Sequence, residues 1–528
     1  MRAALVAALA LGVAAPAAHA EFGVAKFNAE VRKSATPGDL ETQAGSNPYD
    51  GVTDFTFNTN GLTPDGNVKN IRVDLPPGLV SNPEATPKCT EAQFPSCPAA
   101  TKLGTETLTA GMSASPPVVV DVYNMVPKPG QASLFSFNAP VFGRTDIVGG
   151  VRSPGDYGLY FTISDVPANS NLVRSILTFY GVPARRNGGG QKPVGFITLP
   201  TFCGPPQTTT LTVESYAGEK KVATATTPTG TLGCDKLPFS PNIDASTPGR
   251  PTKANGAGLT VSVTQEPGEA NIKAVAVHLP KVFSARGTTL ALVCPDATFR
   301  ANPASCPAGA KVGTAQAITP LLPAPISGPA YLVGVSGKLP TLEVILNAPA
   351  FVIGLTSSIT LGDTGLTSTF GSVPDLPISR FTLDLPMGPT SALGTSADLC
   401  AGALTIPATF TAHSGKEVTK TFPVKVTDCA VAIVKARTAK AGTATLSVRA
   451  PAAGTLTVSG PGLKKVKRVV TGKSRVSAKL ALSALGRTKL RNARRAHKTL
   501  KIKVKASFTP AAGAAGTASK AGKTLTFK

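Results

Sequence analysis

The chain has 528 residues, with Gly 52, Pro 47, aromatic residues at 5% and no Trp, a mix that argues against a helical protein and suits many short strands with frequent turns. Its formal net charge is +24, and the excess is confined to one end: Ala430 to Lys528 holds 23 Lys+Arg and no Asp or Glu, whereas Glu21 to Cys429 holds 29 of each sign. Beyond the N-terminal region no run of about eighteen strongly apolar residues occurs, which argues against a transmembrane helix in the mature chain.

The first twenty residues read as a secretory signal: Arg2 supplies the positive start, Ala3 to Ala15 is small or apolar, and Ala18-His19-Ala20 offers a cleavage site before Glu21. The mature chain is therefore expected to be secreted and extracellular, with any hold on the cell envelope non-covalent.

An internal duplication follows. Asn67-Val-Lys-Asn-Ile-Arg-Val-Asp-Leu-Pro76 matches Asn271-Ile-Lys-Ala-Val-Ala-Val-His-Leu-Pro280, and Ser96-Cys-Pro-Ala-Ala-Thr-Lys-Leu-Gly-Thr105 matches Ser305-Cys-Pro-Ala-Gly-Ala-Lys-Val-Gly-Thr314. Asn138-Ala-Pro140, Gly155-Asp-Tyr-Gly-Leu159 and Val166-Pro167 recur in order at Asn347, Gly362 and Val373, always at an offset between 195 and 209. Within the copies, Ile71, Val73 and Leu75 alternate with Arg72 and Asp74, and Thr210 to Glu214 and Thr421 to Val426 alternate likewise, as half-buried strands do. Turn sequences such as Pro76-Pro-Gly78 and Pro127-Lys-Pro-Gly130 separate them. The expected fold is all-β: two tandem duplicated β-sandwich modules, residues 21–234 and 257–429, and an Ig-like β-sandwich at 430–528. Asp235 to Gly256, rich in Pro, Ser, Thr and Gly, reads as a linker.

All eight cysteines fall in the duplicated part, four per copy, which behind an export signal favours disulfides. Three pairings are open in each module; the sequence-local one joins Cys89 to Cys97, Cys203 to Cys234, Cys294 to Cys306 and Cys400 to Cys429. A metal site competes poorly, since no C-x-x-C pair occurs and no His is near.

Catalytic signatures are sparse. There is no G-x-S-x-G, H-E-x-x-H, P-loop or EF-hand loop, and no cofactor is called for. Asp363-Thr364-Gly365 looks like the tripeptide of two-lobed aspartic proteases, and the repeat sets Asp156 opposite Asp363. But the first copy reads Asp156-Tyr157-Gly158, so a D-x-G turn is the better reading. His278, His413 and His497 have no duplicates. Sugar binding usually stacks rings on Trp or Tyr, which are scarce here, and the acids are too dispersed for calcium. The chain is expected not to be an enzyme.

Chemistry is densest in the basic end. Leu500-Lys-Ile-Lys-Val-Lys505 alternates, setting Lys501, Lys503 and Lys505 on one face at ~6.7 Å intervals that a polyanion can follow. Lys464, Lys465, Lys467 and Arg468 form a second group. Ser483 to Ala496 is predicted to be a short capped helix carrying Arg491, Arg494 and Arg495. Lysines also serve solubility and edge protection, yet a stretch this long without an acid points to anions. The expected partner is an anionic cell-wall polymer or membrane-surface head groups; nucleic acid is disfavoured because no aromatic stacking platform accompanies the charge. The runner-up is an extracellular ligand- or glycan-binding protein that uses loops of the duplicated modules.

Leu75-Pro-Pro-Gly-Leu79 with Ser96-Cys97-Pro98, Gly155-Asp-Tyr-Gly158, Tyr180-Gly-Val-Pro183 and Thr201-Phe-Cys203 resembles a group of uncharacterised secreted repeat proteins of actinobacteria. Val373-Pro-Asp-Leu-Pro-Ile-Ser-Arg-Phe381 and Asp398-Leu-Cys400 resemble the same repeat, and the basic end resembles small β-sandwich modules that close many exported proteins of those bacteria. The resemblance implies tandem β-modules and an envelope or extracellular location, and supplies no activity or functional residues.

Overall fold

A computed structural model describes residues 21–111, 116–140, 142–334, 337–363, 365–400, 403–439, 442–511 and 518–528; the first twenty residues, expected to be a secretory signal, lie outside them. The chain forms two compact units, Met1–Lys236 with Pro349–Phe351, and Leu237–Ala348 with Val352–Lys528.

In the first unit, eleven strands make one continuous sheet that curls around a core. They are β1 (Val24–Arg32), β2 (Asp50–Phe57), β3 (Val68–Asp74), β4 (Lys102–Ala110), β5 (Val118–Met125), β6 (Ser133–Ala139), β7 (Gly143–Val151), β8 (Leu159–Ile163), β9 (Leu172–Tyr180), β10 (Thr208–Ser215) and β11 (Lys220–Thr226). Their order is 1-2-9-4-5-6-7-8-3-10-11. The expected alternation is present: Leu211 and Val213 are fully buried on β10 while their neighbours are not. Phe135, Phe179 and Phe196 pack edge-on or tilted at centroid distances of 5.3–5.6 Å and anchor the interior.

The second unit repeats the pattern with β12 (Asn242–Pro248), β13 (Leu259–Thr264), β14 (Ile272–His278), β15 (Lys311–Ile318), β16 (Ile326–Gly334), β17 (Thr341–Asn347), β18 (Val352–Gly362), β19 (Gly365–Phe370), β20 (Arg380–Leu385), β21 (Leu404–Ala412) and β22 (Glu417–Thr427). Their order, 12-13-20-15-16-17-18-19-14-21-22, is the first order with eleven added to each label, and a two-residue strand, Cys294–Pro295, adds beside β16. This ring closes: β22 pairs with β12 from Ala245↔Val424 to Pro248↔Thr427, and that junction is parallel. An odd number of strands cannot alternate direction all the way round, so one parallel junction is obligatory. The first ring meets at the same place through a single parallel bridge, Gln43↔Leu232, with Ala44 N–H donating to Leu232 O (2.8 Å) and Leu232 N–H to Thr42 O (2.7 Å). Each module is thus a sandwich whose two layers are one sheet.

Asp235 to Gly256 is not a free linker, because it contains β12. Ile243, Ala245 and Thr247 are buried on one side of that strand. The small residues that suggested a connector fit the closing junction, and Thr247 Oγ1 donates to Gly258 O (2.7 Å). The disulfides join Cys89 to Cys97, Cys203 to Cys234, Cys294 to Cys306 and Cys400 to Cys429. The second and fourth span the bases of the β10–β11 and β21–β22 hairpins, whose outer strands lie at the junction.

After the second ring come β23 (Ala432–Ala439), β24 (Thr443–Ala450), β25 (Gly454–Ser459), β26 (Val466–Val470), β27 (Ser474–Ala481), helix α1 (Ala484–Arg495), β28 (Leu500–Pro510) and β29 (Ser519–Phe527). They form sheets ordered 23-24-27 and 26-25-28-29, the three-plus-four arrangement of an Ig-like sandwich. Leu446, Val448, Leu456, Val458, Val504 and Phe508 fill its core. No described helix is long and apolar enough to cross a membrane.

The rings differ inside. Glu106 faces inward from β4, fully buried, and accepts a hydrogen bond from Ser175 Oγ at 2.8 Å. Following the paired registers, the second ring has Ala315 and Phe381 at these two positions. Burial pushes the Glu106 carboxyl up to about 8, with the Ser175 and Ile176 hydrogen bonds opposing it. A carboxyl raised in the folded state favours folding below its unfolded pKa and loses that advantage as pH climbs through the folded value. Thermal or urea unfolding should therefore show stability declining between pH 5 and 8 by roughly 3–5 kcal/mol from this group. Glu106→Gln, which keeps a partner for Ser175, should flatten that slope; an unchanged slope would show that Glu106 is not its origin.

Candidate anion-binding surface

The four-stranded sheet of the C-terminal sandwich turns one face inward and leaves the other to water. On β28, Ile502, Val504, Ala506 and Phe508 are buried while Lys501, Lys503 and Lys505 are exposed, as the alternation dictates. Across the ladder, Lys501 faces Thr526, Lys503 faces Thr524, and Lys505 faces Gly522 on one side and Ser459 on the other. The next row carries Lys467, Thr457, Ser507 and Lys520 across all four strands. One face thus carries five ammonium groups interleaved with short hydroxyl side chains. Lys520 is joined to this face by strand pairing, and Lys523 stands exposed on the edge strand opposite Val504. Together with Lys503, Lys505, Ser459 and Pro461 they line a shallow depression. Neither Lys520 nor Lys523 stands out in the sequence, because their proximity depends on a partner strand nearly twenty residues away.

The Lys464–Arg468 group is not presented on one face. Lys464 and Lys465 precede β26 in a loop whose backbone is fastened elsewhere, with Lys464 N–H donating to Ala481 O at 2.9 Å. Lys467 joins the outer face, whereas Arg468 sits opposite the buried Leu456 and is directed to the other side of the edge strand. Helix α1 begins where Ser483 Oγ accepts from Gly486 N–H (3.2 Å) and ends before His497, whose φ of 55° reverses the chain. Gly486 rests on the Pro461-Gly462 turn so closely that an added Cβ would stand 2.0 Å from Gly462 O. Arg491 and Arg495 project from the exposed side of α1. Arg494 is engaged: its Nη2 donates to Lys528 O at 2.8 Å, which sets the helix end beside the Lys501 end of β28.

The opposite sheet is also basic outside. Arg437 and Lys479 flank Thr445, and Lys435 flanks Ser447. Arg449 differs in being buried; it pairs with Asp398 of the second ring, so the acid that this domain lacks is supplied by its neighbour in the same unit.

The D-x-G aspartates and the histidines of the rings have local surroundings. Asp156 is gripped by Arg152, whose Nε and Nη2 each donate at 2.8 Å, and accepts from Gly158 N–H at 3.0 Å. The Arg152 hydrogen bonds hold its carboxyl below the usual range. Asp363 is exposed in the hairpin between Gly362 and Gly365, which pair with each other. His278 Nδ1 lies 2.8 Å from Thr367 Oγ1, and His413 Nε2 lies 2.8 Å from Val373 O. Among the described residues no group of three or more His, Cys, Asp or Glu could hold a metal ion.

No family model and no curated protein matches the chain. Among solved structures, a tetra-tandem repeat in the extending region of a large adhesion protein is 12% identical, covering 92% of this chain and 98% of its own at a TM-score of 0.16. The BSP domain of a biofilm-associated protein is 8% identical, covering 96% and 81% at 0.14. The C-terminal domain of the Streptococcus agalactiae AgI/II polypeptide BspA is 9% identical, covering 76% and 100% at 0.18.

The surface lysines contribute little to folding, being exposed on the outside of the sheet. Lys501→Gln, Lys503→Gln and Lys505→Gln together should leave unfolding free energy within about 0.5 kcal/mol per site. Asp398→Ala should lower it by about 1 kcal/mol. That is less than a fully buried pair would lose, because the Asp398 side chain is 49% exposed. Denaturant titration of the full chain distinguishes these outcomes.

Proposed function

We propose that this is a non-enzymatic extracellular structural or adhesive protein whose C-terminal sandwich holds a linear anionic polymer of the cell envelope. The observation that carries this reading is the outer face of the four-stranded sheet. It sets Lys467, Lys501, Lys503, Lys505 and Lys520 among hydroxyls, in a domain without Asp or Glu. Ammonium groups repeating at ~6.7 Å along β28 suit a chain with regularly spaced charges, and neighbouring Ser and Thr can bond the remaining oxygens. A linear polymer is favoured over lipid head groups because the charges run along a strand and their interleaved neighbours are short and polar. Four disulfides fit the oxidising exterior, and the charge-balanced rings serve as rigid bodies joined to the basic end.

Binding of full-length protein to polyglutamate and to purified anionic wall polymer should weaken on the order of a hundredfold between 50 and 200 mM salt, given about five contacts. The triple glutamine variant should bind more weakly and with a shallower salt dependence, by up to about one unit of slope per lysine. Affinity independent of salt, or an unaffected triple variant, would sink the proposal. Preferential binding to anionic vesicles over polymer would redirect it to lipid.

A further inference from the structure

We propose that the interior of the first ring is a binding site for one small, uncharged, apolar molecule, reached through the junction between β1 and β11. This reading is independent of the basic surface.

The interior contains a cavity of about 120 Å³, against about 50 Å³ for a cavity in the second ring. Its wall is apolar: Val73, Phe161, Leu177, Phe179 and Phe196 line it. Val73, Phe161 and Leu177 pack against the core yet stay only half-buried, as expected for side chains that border accessible space. Its position coincides with the loosest part of the ring. Ala29 and Val31 of β1 line one side, and Thr229 and Thr231, just beyond β11, line the other. Here the second ring has a hydrogen-bonded parallel pair, and the first has a single bridge.

The duplicate lines the equivalent position differently. Gly51 lines the cavity and stands opposite Phe179; the equivalent pair in the second ring is Leu259 opposite Leu385, with Leu259 buried. Over Gly51 the space is taken by Ile197, whose Cδ1 would stand 2.7 Å from an added Cβ, so the glycine makes way for a second lining side chain where the other ring carries a leucine.

Charge narrows the ligand. Glu30 and Glu41 stand at the margin. Glu30 accepts from Asn28 Nδ2 (2.6 Å) and Arg32 Nε (2.9 Å), and Glu41 accepts from Thr42 and Gln43 N–H (3.0 and 2.9 Å). Both carboxylates are already supplied with donors and repel an anionic head group. Lining hydroxyls such as Thr209 and Ser81 can meet one neutral polar atom. A volume somewhat below the ~150 Å³ of an apolar cavity known to stay dry and take benzene admits a six-membered ring or a short alkyl chain, and no long acyl chain.

Benzene is the probe. Titrated into the full chain to near its solubility, it should raise the melting temperature of the first unit in a saturable way. Ala29→Leu, which grows a side chain into the space, should lower benzene affinity by about tenfold or more. Thr53→Leu, at another lining position, should do the same and serves if Ala29→Leu folds poorly. No benzene-dependent shift in the wild-type chain, or a shift retained in both variants, would overturn the proposal.

Discussion

Eleven strands closed into a ring cannot all be antiparallel to both neighbours, and this parity constraint governs the architecture. One junction must be parallel, and parallel neighbours cannot be joined by a tight hairpin. The chain therefore brings the first strand of each module to the last, across nearly the whole module. In the second ring the contact is a four-residue ladder; in the first it is one bridge flanked by two backbone hydrogen bonds. The disulfides follow from the same need. Cys203–Cys234 and Cys400–Cys429 tie the ends of the last hairpin, so its outer strand cannot drift from the junction. A cross-link there opposes local opening, where the ladder is shortest.

A domain with so many cations and no acid must fold against its own repulsion. The alternation of β28 shows how this is met: every lysine faces water while its neighbours along the strand fill the core. Cross-strand neighbours are mostly Thr, Ser or Gly, so ammonium groups seldom stand directly opposite one another. Arg449 is the informative departure. Buried, it takes Asp398 from the second ring as its counterion, and the two bodies become electrostatically interdependent. Cys400, two residues from Asp398, anchors that acid to the disulfide at the junction; Asp398 Oδ1 also accepts from Cys400 N–H at 2.9 Å.

Features carried by local pattern were legible in the sequence. Ile71 and Val73, Leu211 and Val213, and the Leu500–Lys505 run declare their faces by period two. The cysteine spacing favours the local pairs found. What escaped depends on partners far along the chain. Asn242–Pro248 reads as a connector because Ala, Ser, Thr and Pro dominate it; it pairs with the nearby β13, but the partner that closes the ring lies about 180 residues later. Lys467 and Arg468 read as one cluster because they are adjacent, yet adjacency in a strand sends them to opposite sides. Lys520 reads as an isolated charge until β29 is laid beside β28.

Duplication set two copies of one ring under different demands, and the interiors record it. The second ring is complete: its junction is laddered, Leu259 occupies the place of Gly51, and Phe381 and Ala315 replace Ser175 and Glu106. This ring and the basic sandwich belong to one compact unit. The first ring keeps a buried carboxyl whose charged form is disfavoured at neutral pH, an apolar cavity, and a junction held by one bridge. Each is individually destabilising relative to the second ring's solution. With the same strand order, the second ring has a laddered junction, a smaller cavity of about 50 Å³ and an alanine at the Glu106 position. On the proposal of an interior ligand, the first ring gives up packing for access, whereas the second fills the equivalent positions with Leu259, Ala315 and Phe381.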